Sequence, residues 1–91
     1  MNVENIRIES PGAGEKTWSV VVDADDIKVE NNNSTTKLFV NDKLQDVYFG
    51  IIGNQKLNGK LSNGKEIKVA IGNTFKLKCC IFVDNELVLE D

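Results

Sequence analysis

Histidine is absent from this 91-residue chain. With it go the commonest general base, the Ser-His and Cys-His nucleophile pairs and nearly every catalytic zinc arrangement. There is no glycine-rich phosphate loop either, because Gly53, Gly59 and Gly64 fall in no pattern that opens a helix. No apolar run approaches the roughly 18 residues of a membrane span. The start, Met1-Asn2-Val3-Glu4-Asn5, has neither the basic head nor the apolar stretch of a signal peptide. These absences point away from catalysis, cofactors and membranes, and toward a cytoplasmic protein that is not an enzyme.

Cysteine is nearly absent as well, and its two copies, Cys79 and Cys80, are neighbours. In a strand their side chains point to opposite faces and cannot easily bridge each other. One buried thiol and one nearer the surface is the expected arrangement. Without histidine or a second cysteine pair they do not make a four-ligand metal site.

What is present is the material of one β domain. Hydrophobic residues make up 41% of the chain and charged residues 27%, enough for one core under an ordinary polar surface. Residues 1–91 are expected to form a single domain. Apolar residues recur at period two, and turn residues punctuate them every eight to twelve positions, which predicts an all-β antiparallel β-sandwich of seven to nine short strands. The spacing places strands at Glu4–Glu9, Thr17–Val22, Asp26–Glu30, Thr36–Val40, Leu44–Ile51, Gln55–Leu61, Lys65–Ile71, Phe75–Val83 and Glu86–Glu90.

Two heptads nearly repeat each other: Leu38-Phe39-Val40-Asn41-Asp42-Lys43-Leu44 and Ile81-Phe82-Val83-Asp84-Asn85-Glu86-Leu87. Each reads as a hairpin tip with a two-residue primed turn, pairing Phe39 with Leu44 and Phe82 with Leu87. A loop at Gly72-Asn73-Thr74 would pair Ile71 with Phe75, Val69 with Leu77, Ile67 with Cys79 and Lys68 with Lys78. Asn63-Gly64 is the better turn of two adjacent Asn-Gly pairs, leaving Gly59 as a bulge or irregular point. Phe82, inside the all-apolar run Cys79-Cys80-Ile81-Phe82-Val83, is expected to be core. Trp18 shares a face with Val20 and Val22 and is read as a core anchor, while Tyr48 and Phe49 must point to opposite faces.

Charge is unevenly distributed. Residues 1–50 carry nine acids and five bases, residues 51–78 six lysines and Glu66 alone, and residues 79–91 four acids and no base. The lysine-rich segment suggests a patch for an acidic partner. A net charge of −3 and a single arginine argue against nucleic acid. Asp23, Asp25 and Asp26 could hold calcium but lack the EF-hand order of ligands and its glycine, so an ordinary acidic turn is expected and no metal is assigned.

The series Trp18-x-Val20, Ile27-x-Val29, Leu38-Phe39-Val40-Asn41-Asp42, Ile71-Gly72-Asn73 and Ile81-Phe82-Val83-Asp84-Asn85 resembles the β-sandwich domain of the Fas apoptotic inhibitory molecule family over roughly residues 17–88. The resemblance implies a non-enzymatic antiparallel sandwich acting through protein contacts in the cytoplasm, with no functional residue carried over.

The expected function is therefore a non-catalytic protein-interaction or scaffold module. Its candidate surface residues are Lys68, Lys76, Lys78, Tyr48 and Trp18. The alternative is a small carbohydrate- or ligand-binding sandwich that uses an exposed aromatic, Trp18 or Tyr48, with the Asn-rich loops.

Overall fold

In a computed structural model of the chain, residues 1–32, 34–50, 54–73 and 77–91 are described. They contain nine strands and no helix. β1 (Val3–Glu9), β2 (Lys16–Val22), β3 (Asp25–Asn31), β4 (Thr35–Val40) and β5 (Lys43–Phe49) form one sheet in chain order. β6 (Gln55–Lys60), β7 (Glu66–Asn73), β8 (Leu77–Val83) and β9 (Glu86–Glu90) form the other. Every pairing is antiparallel, so the chain is an all-β sandwich of two meanders. The Cα radius of gyration, 12.1 Å, is that of one domain of this length, roughly 12 Å.

The period-two pattern dictates the core. Trp18, Val20 and Val22 of β2, Ile27 and Val29 of β3, and Leu38 and Val40 of β4 face Leu57, Ile67, Val69, Ile71, Cys79, Ile81 and Val83 of the second sheet. Trp18 is completely buried, as its shared face with Val20 and Val22 predicts.

Three hairpins use primed turns with two consecutive positive φ angles. These are Asp23 (50°) and Ala24 (68°), Asn41 (50°) and Asp42 (65°), and Asp84 (47°) and Asn85 (65°). The two heptad tips thus form as expected, with Phe39 opposite Leu44 and Phe82 opposite Leu87. The Asp23 turn is one residue shorter than the sequence suggests, since Asp25 already belongs to β3. In all three, the first turn residue bonds twice to a third strand or its approach. Asp23 does so to Asn2, Asn41 to Asp26, and Asp84 to Glu66; each time its N–H donates to the partner's carbonyl while its side-chain oxygen accepts the partner's N–H.

Four expectations need correction. β7 runs through Gly72 to Asn73, so Ile71 lies opposite Cys79, Val69 opposite Ile81 and Ile67 opposite Val83. Lys68 consequently faces Phe82 rather than Lys78, and Lys78 faces Gly72. Phe82 lies half-buried on the outer face of its sheet and is not core, because Ile81 and Val83 take the inward positions. Gly59 is no bulge, since β6 pairs regularly with β7. A Cβ there would lie 3.0 Å from Leu38 Cδ2 and 3.2 Å from Gln45 Cβ, so glycine suits the close approach of the facing sheet and a side chain would press on it. The expected placements of Asn33, Ile51, Gly53, Thr74, Phe75 and Lys76 lie outside the described residues.

Candidate functional site

The molecule presents an acidic end, two long sides and two outer sheet faces. At the acidic end the aspartates are engaged in holding the two sheets together. Asp23 Oδ2 accepts a bond from Lys65 Nζ at 2.7 Å, and Asp25 Oδ2 accepts from the backbone and hydroxyl of Ser62 at 2.8 and 2.7 Å. Asn41 Nδ2 donates to the other Asp25 oxygen. The Asn2 backbone N–H first, and the Lys65 ammonium second, pull the Asp23 carboxyl down to about 2. Asp25 is likewise lowered by the Ser62 hydroxyl and Asn41, and Lys65 is raised by Asp23. No group of three potential metal-ligating side chains occurs among the described residues. The Asp-rich turn is thus a clasp between β2–β3 and the β6–β7 connection.

The β5–β6 side is sealed. A bulge in β5 leaves Gln45 as the extra residue between Asp46, opposite Leu38, and Leu44, opposite Phe39. From there Gln45 Oε1 and Asp46 Oδ2 reach across to the free edge of β6, accepting from the backbone N–H groups of Lys60 and Asn58 at 3.4 and 2.9 Å. Beneath them the buried Thr36 and Gln55 are satisfied in series: Asn31 donates to Thr36, Thr36 to Gln55, and Gln55 to the Gly50 carbonyl.

The β1–β9 side is open. The first sheet has five strands and the second four. β9 packs beneath β2, and every residue of β1 is exposed. Val3 lies opposite the buried Val22 and Ile8 opposite the buried Trp18, so the inward face of β1 is apolar. Ile6, two residues before Ile8, shares that face. Val3, Ile6 and Ile8 are nevertheless 38%, 55% and 44% exposed. At the inner boundary of this strip Asp91 Oδ2 accepts from Trp18 Nε1 at 2.8 Å and pairs with Lys16 Nζ at 2.6 Å.

Of the residues expected to form an interaction surface, Lys68 and Lys78 are exposed on the outer face of the four-stranded sheet. Lys76 lies outside the described residues. Trp18 is in the core, and Tyr48 is half-buried against it. Among the described residues the exposed aromatic is instead Phe49, at 79%. Trp18 thus offers no surface platform for a sugar.

Sequence reasoning missed Lys56 and Asn58, which the β6–β7 register sets opposite Ala70 and Lys68, and Asn54 beside Gly72, and it missed the apolar strip of β1. The alternation of Gln55–Lys60 does place Lys56 and Asn58 on one face, but only the register brings that face to Lys68. Neither thiol is an activated nucleophile. Burial pushes Cys79 up, and Cys80 is raised by burial and then by Glu90. Comparison with known protein families, characterised proteins and solved structures finds no match.

Proposed function

We propose that this domain is a non-catalytic protein-interaction module that receives an extended segment of a partner along its open side. The carrying observation is the exposed apolar strip of Val3, Ile6 and Ile8, beyond the last strand of the shorter sheet. A segment added to the outer edge of β9 would give the second sheet its fifth strand and cover that strip. Main-chain bonds would supply affinity, and side chains at every second position would meet the apolar surface.

Bulges make this edge selective. β9 has Val88 as an extra residue between Leu87, opposite Phe82, and Leu89, opposite Ile81, and β1 shifts register between Glu4 and Arg7. Such irregularities discourage indiscriminate pairing, so recognition rests on the strip. The charge around it sets the partner's chemistry. Glu4, Glu9, Glu86, Glu90 and Asp91 stand against Arg7 and Lys16, and Lys16 is already held by Asp91. The occupant is an extended segment alternating apolar and basic residues. The resemblance to a family that acts through protein contacts points the same way.

A seven-residue amidated peptide alternating valine and lysine tests this by NMR titration. The expected result is shifts at β9 amides and at Val3–Ile8, with binding weakened about tenfold by Ile6→Asp, a buried charge on the strip. A peptide alternating valine and glutamate should not bind. No shift at millimolar peptide, or shifts elsewhere only, overturns the reading.

A further inference from the structure

The strand register builds a second surface, independent of the open side. On the outer face of the four-stranded sheet Lys56, Ala70 and Cys80 lie in one row across β6, β7 and β8. Asn58, Lys68 and Phe82 form the next row, and Gly72 and Lys78 lie on the other side with Asn54 beside Gly72. Ala70 is the centre of this grid. Lys56 is its direct cross-strand neighbour at about 5 Å between Cβ atoms, Lys78 its diagonal neighbour at about 7–8 Å, and Lys68 is two residues along the same strand. The three lysine positions therefore surround one small residue.

Two further observations give this cluster the form of a site. The floor is hollow. Asn54, Lys56, Ala70, Gly72, Lys78 and Cys80 bound a depression of about 360 Å³, and a second of about 330 Å³ adjoins it over Lys56 and Ala70, reaching Lys68 and Phe82. Gly72, one residue from the end of β7, has no positive φ, and a Cβ there would meet nothing closer than Asn54 Oδ1 at 3.7 Å, an ordinary contact. The fold does not require glycine at this position, and the bare backbone leaves room for a ligand to approach closely.

The three lysines also lack a close ion pair. Lys16, Lys28 and Lys65 each have a carboxylate within 4 Å, whereas among the described residues Lys56, Lys68 and Lys78 have none. None of the nine grid positions is acidic; Glu66, two residues before Lys68 on β7, and Glu90, opposite Cys80 on β9, border the grid. On the outer face of the five-stranded sheet, by contrast, Lys28 lies within 3.4 Å of Glu30 and 3.6 Å of Asp42. Lys68 Nζ lies 3.4 Å from Asn85 Oδ1 in the β8–β9 turn.

We infer that this dish binds a phosphoryl group, its oxygens shared among Lys56, Lys68 and Lys78 over Ala70 and Gly72. Ammonium groups supply the charge-assisted bonds, and the Asn54 and Asn58 carboxamides stand at the rim to supply neutral ones. The half-buried Phe82 ring gives an apolar flank for the body that carries the phosphate.

The test is a pair of titrations of the intact chain, followed by amide NMR shifts at constant ionic strength. Pyrophosphate is the probe for a free anion, and phenyl phosphate for an ester with an apolar body. Saturable shifts centred on Ala70, Gly72 and Cys80 are expected with both. Tighter phenyl phosphate binding identifies an ester as the source, and tighter pyrophosphate binding a free anion. The exposed double substitution Lys56→Gln/Lys68→Gln should weaken both about tenfold or more. Gly72→Val, which fills the floor, should remove binding while the sheet keeps its amide pattern. Shifts that chloride reproduces at the same ionic strength, or affinity unchanged in the lysine double variant, would overturn the assignment.

Discussion

Along the β5–β6 side, side chains of one sheet reach the free backbone of the other, and a glycine lets the two approach. Along the β1–β9 side the longer sheet runs past the shorter one, leaving an apolar face in water. Both sides begin from the same alternating pattern, so alternation alone does not decide whether a face is covered. Strand count does. Gln45 and Asp46 seal their edge because β6 lies within reach, whereas β1 presents Val3, Ile6 and Ile8 beyond β9. One edge is closed from within, and the other is left apolar and exposed.

Substitutions on the two sides separate these roles. The largest effect is expected at Trp18, the core residue bordering the open side. Trp18→Ala should cost about 3–5 kcal/mol in denaturant unfolding through the cavity and the lost Asp91 bond. A cost below about 1 kcal/mol would mean that the open side begins at β2 rather than β1. On the sealed side Gly59→Ala should cost about 1–3 kcal/mol, because its methyl meets Leu38 and the stem of Gln45. A neutral result would show that side to be looser than its geometry.

Acid loosens a region common to both sides. The Asp23 carboxyl is depressed in the folded state, so its contribution is complete above about pH 4 and is lost as pH falls through about 2. Asp25 shifts in the same direction. Fluorescence-monitored unfolding should therefore show stability declining between about pH 4 and 2 less steeply in Asp23→Asn than in the parent chain. Equal slopes would remove Asp23 from the clasp.

The smallest effect is expected at Ile6. Ile6→Ser should change stability by less than about 0.5 kcal/mol, since the residue is exposed in the free domain. A cost near 2 kcal/mol would place Ile6 in a packed environment and close the open side.

The hairpin tips were legible because Asn41-Asp42 and Asp84-Asn85 are residue types that tolerate the two positive φ angles of a primed turn. The β7–β8 register was not legible, and the reason is parity. Pairing Ile71 with Phe75 or with Cys79 differs by four residues on one strand, an even number, so both registers keep the same residues inward. Gly72-Asn73 then looks like a turn although it continues β7. Phe82 was misplaced because a run apolar on both faces carries no alternation to read. The role of Gly59 depends on Leu38 and Gln45 in the facing sheet, contacts that no local pattern records. The lysine grouping is half visible, as the charge imbalance of residues 51–78, and its arrangement around Ala70 appears only once three strands are in register.

The doubled bonds of Asp23, Asn41 and Asp84 bear on how fast the domain forms. Each turn fixes a hairpin and also anchors a third strand or its approach, so one local event sets the register of more than two segments. Within both sheets each strand pairs with its neighbour in sequence, so little chain must be closed before a new strand is rewarded. The slow step is left to the meeting of the two meanders across the 50–54 connection, where Thr36 and Gln55 must find each other. Folding should be quick for a sandwich, with a barrier set by docking one prepared sheet on another rather than by assembling either.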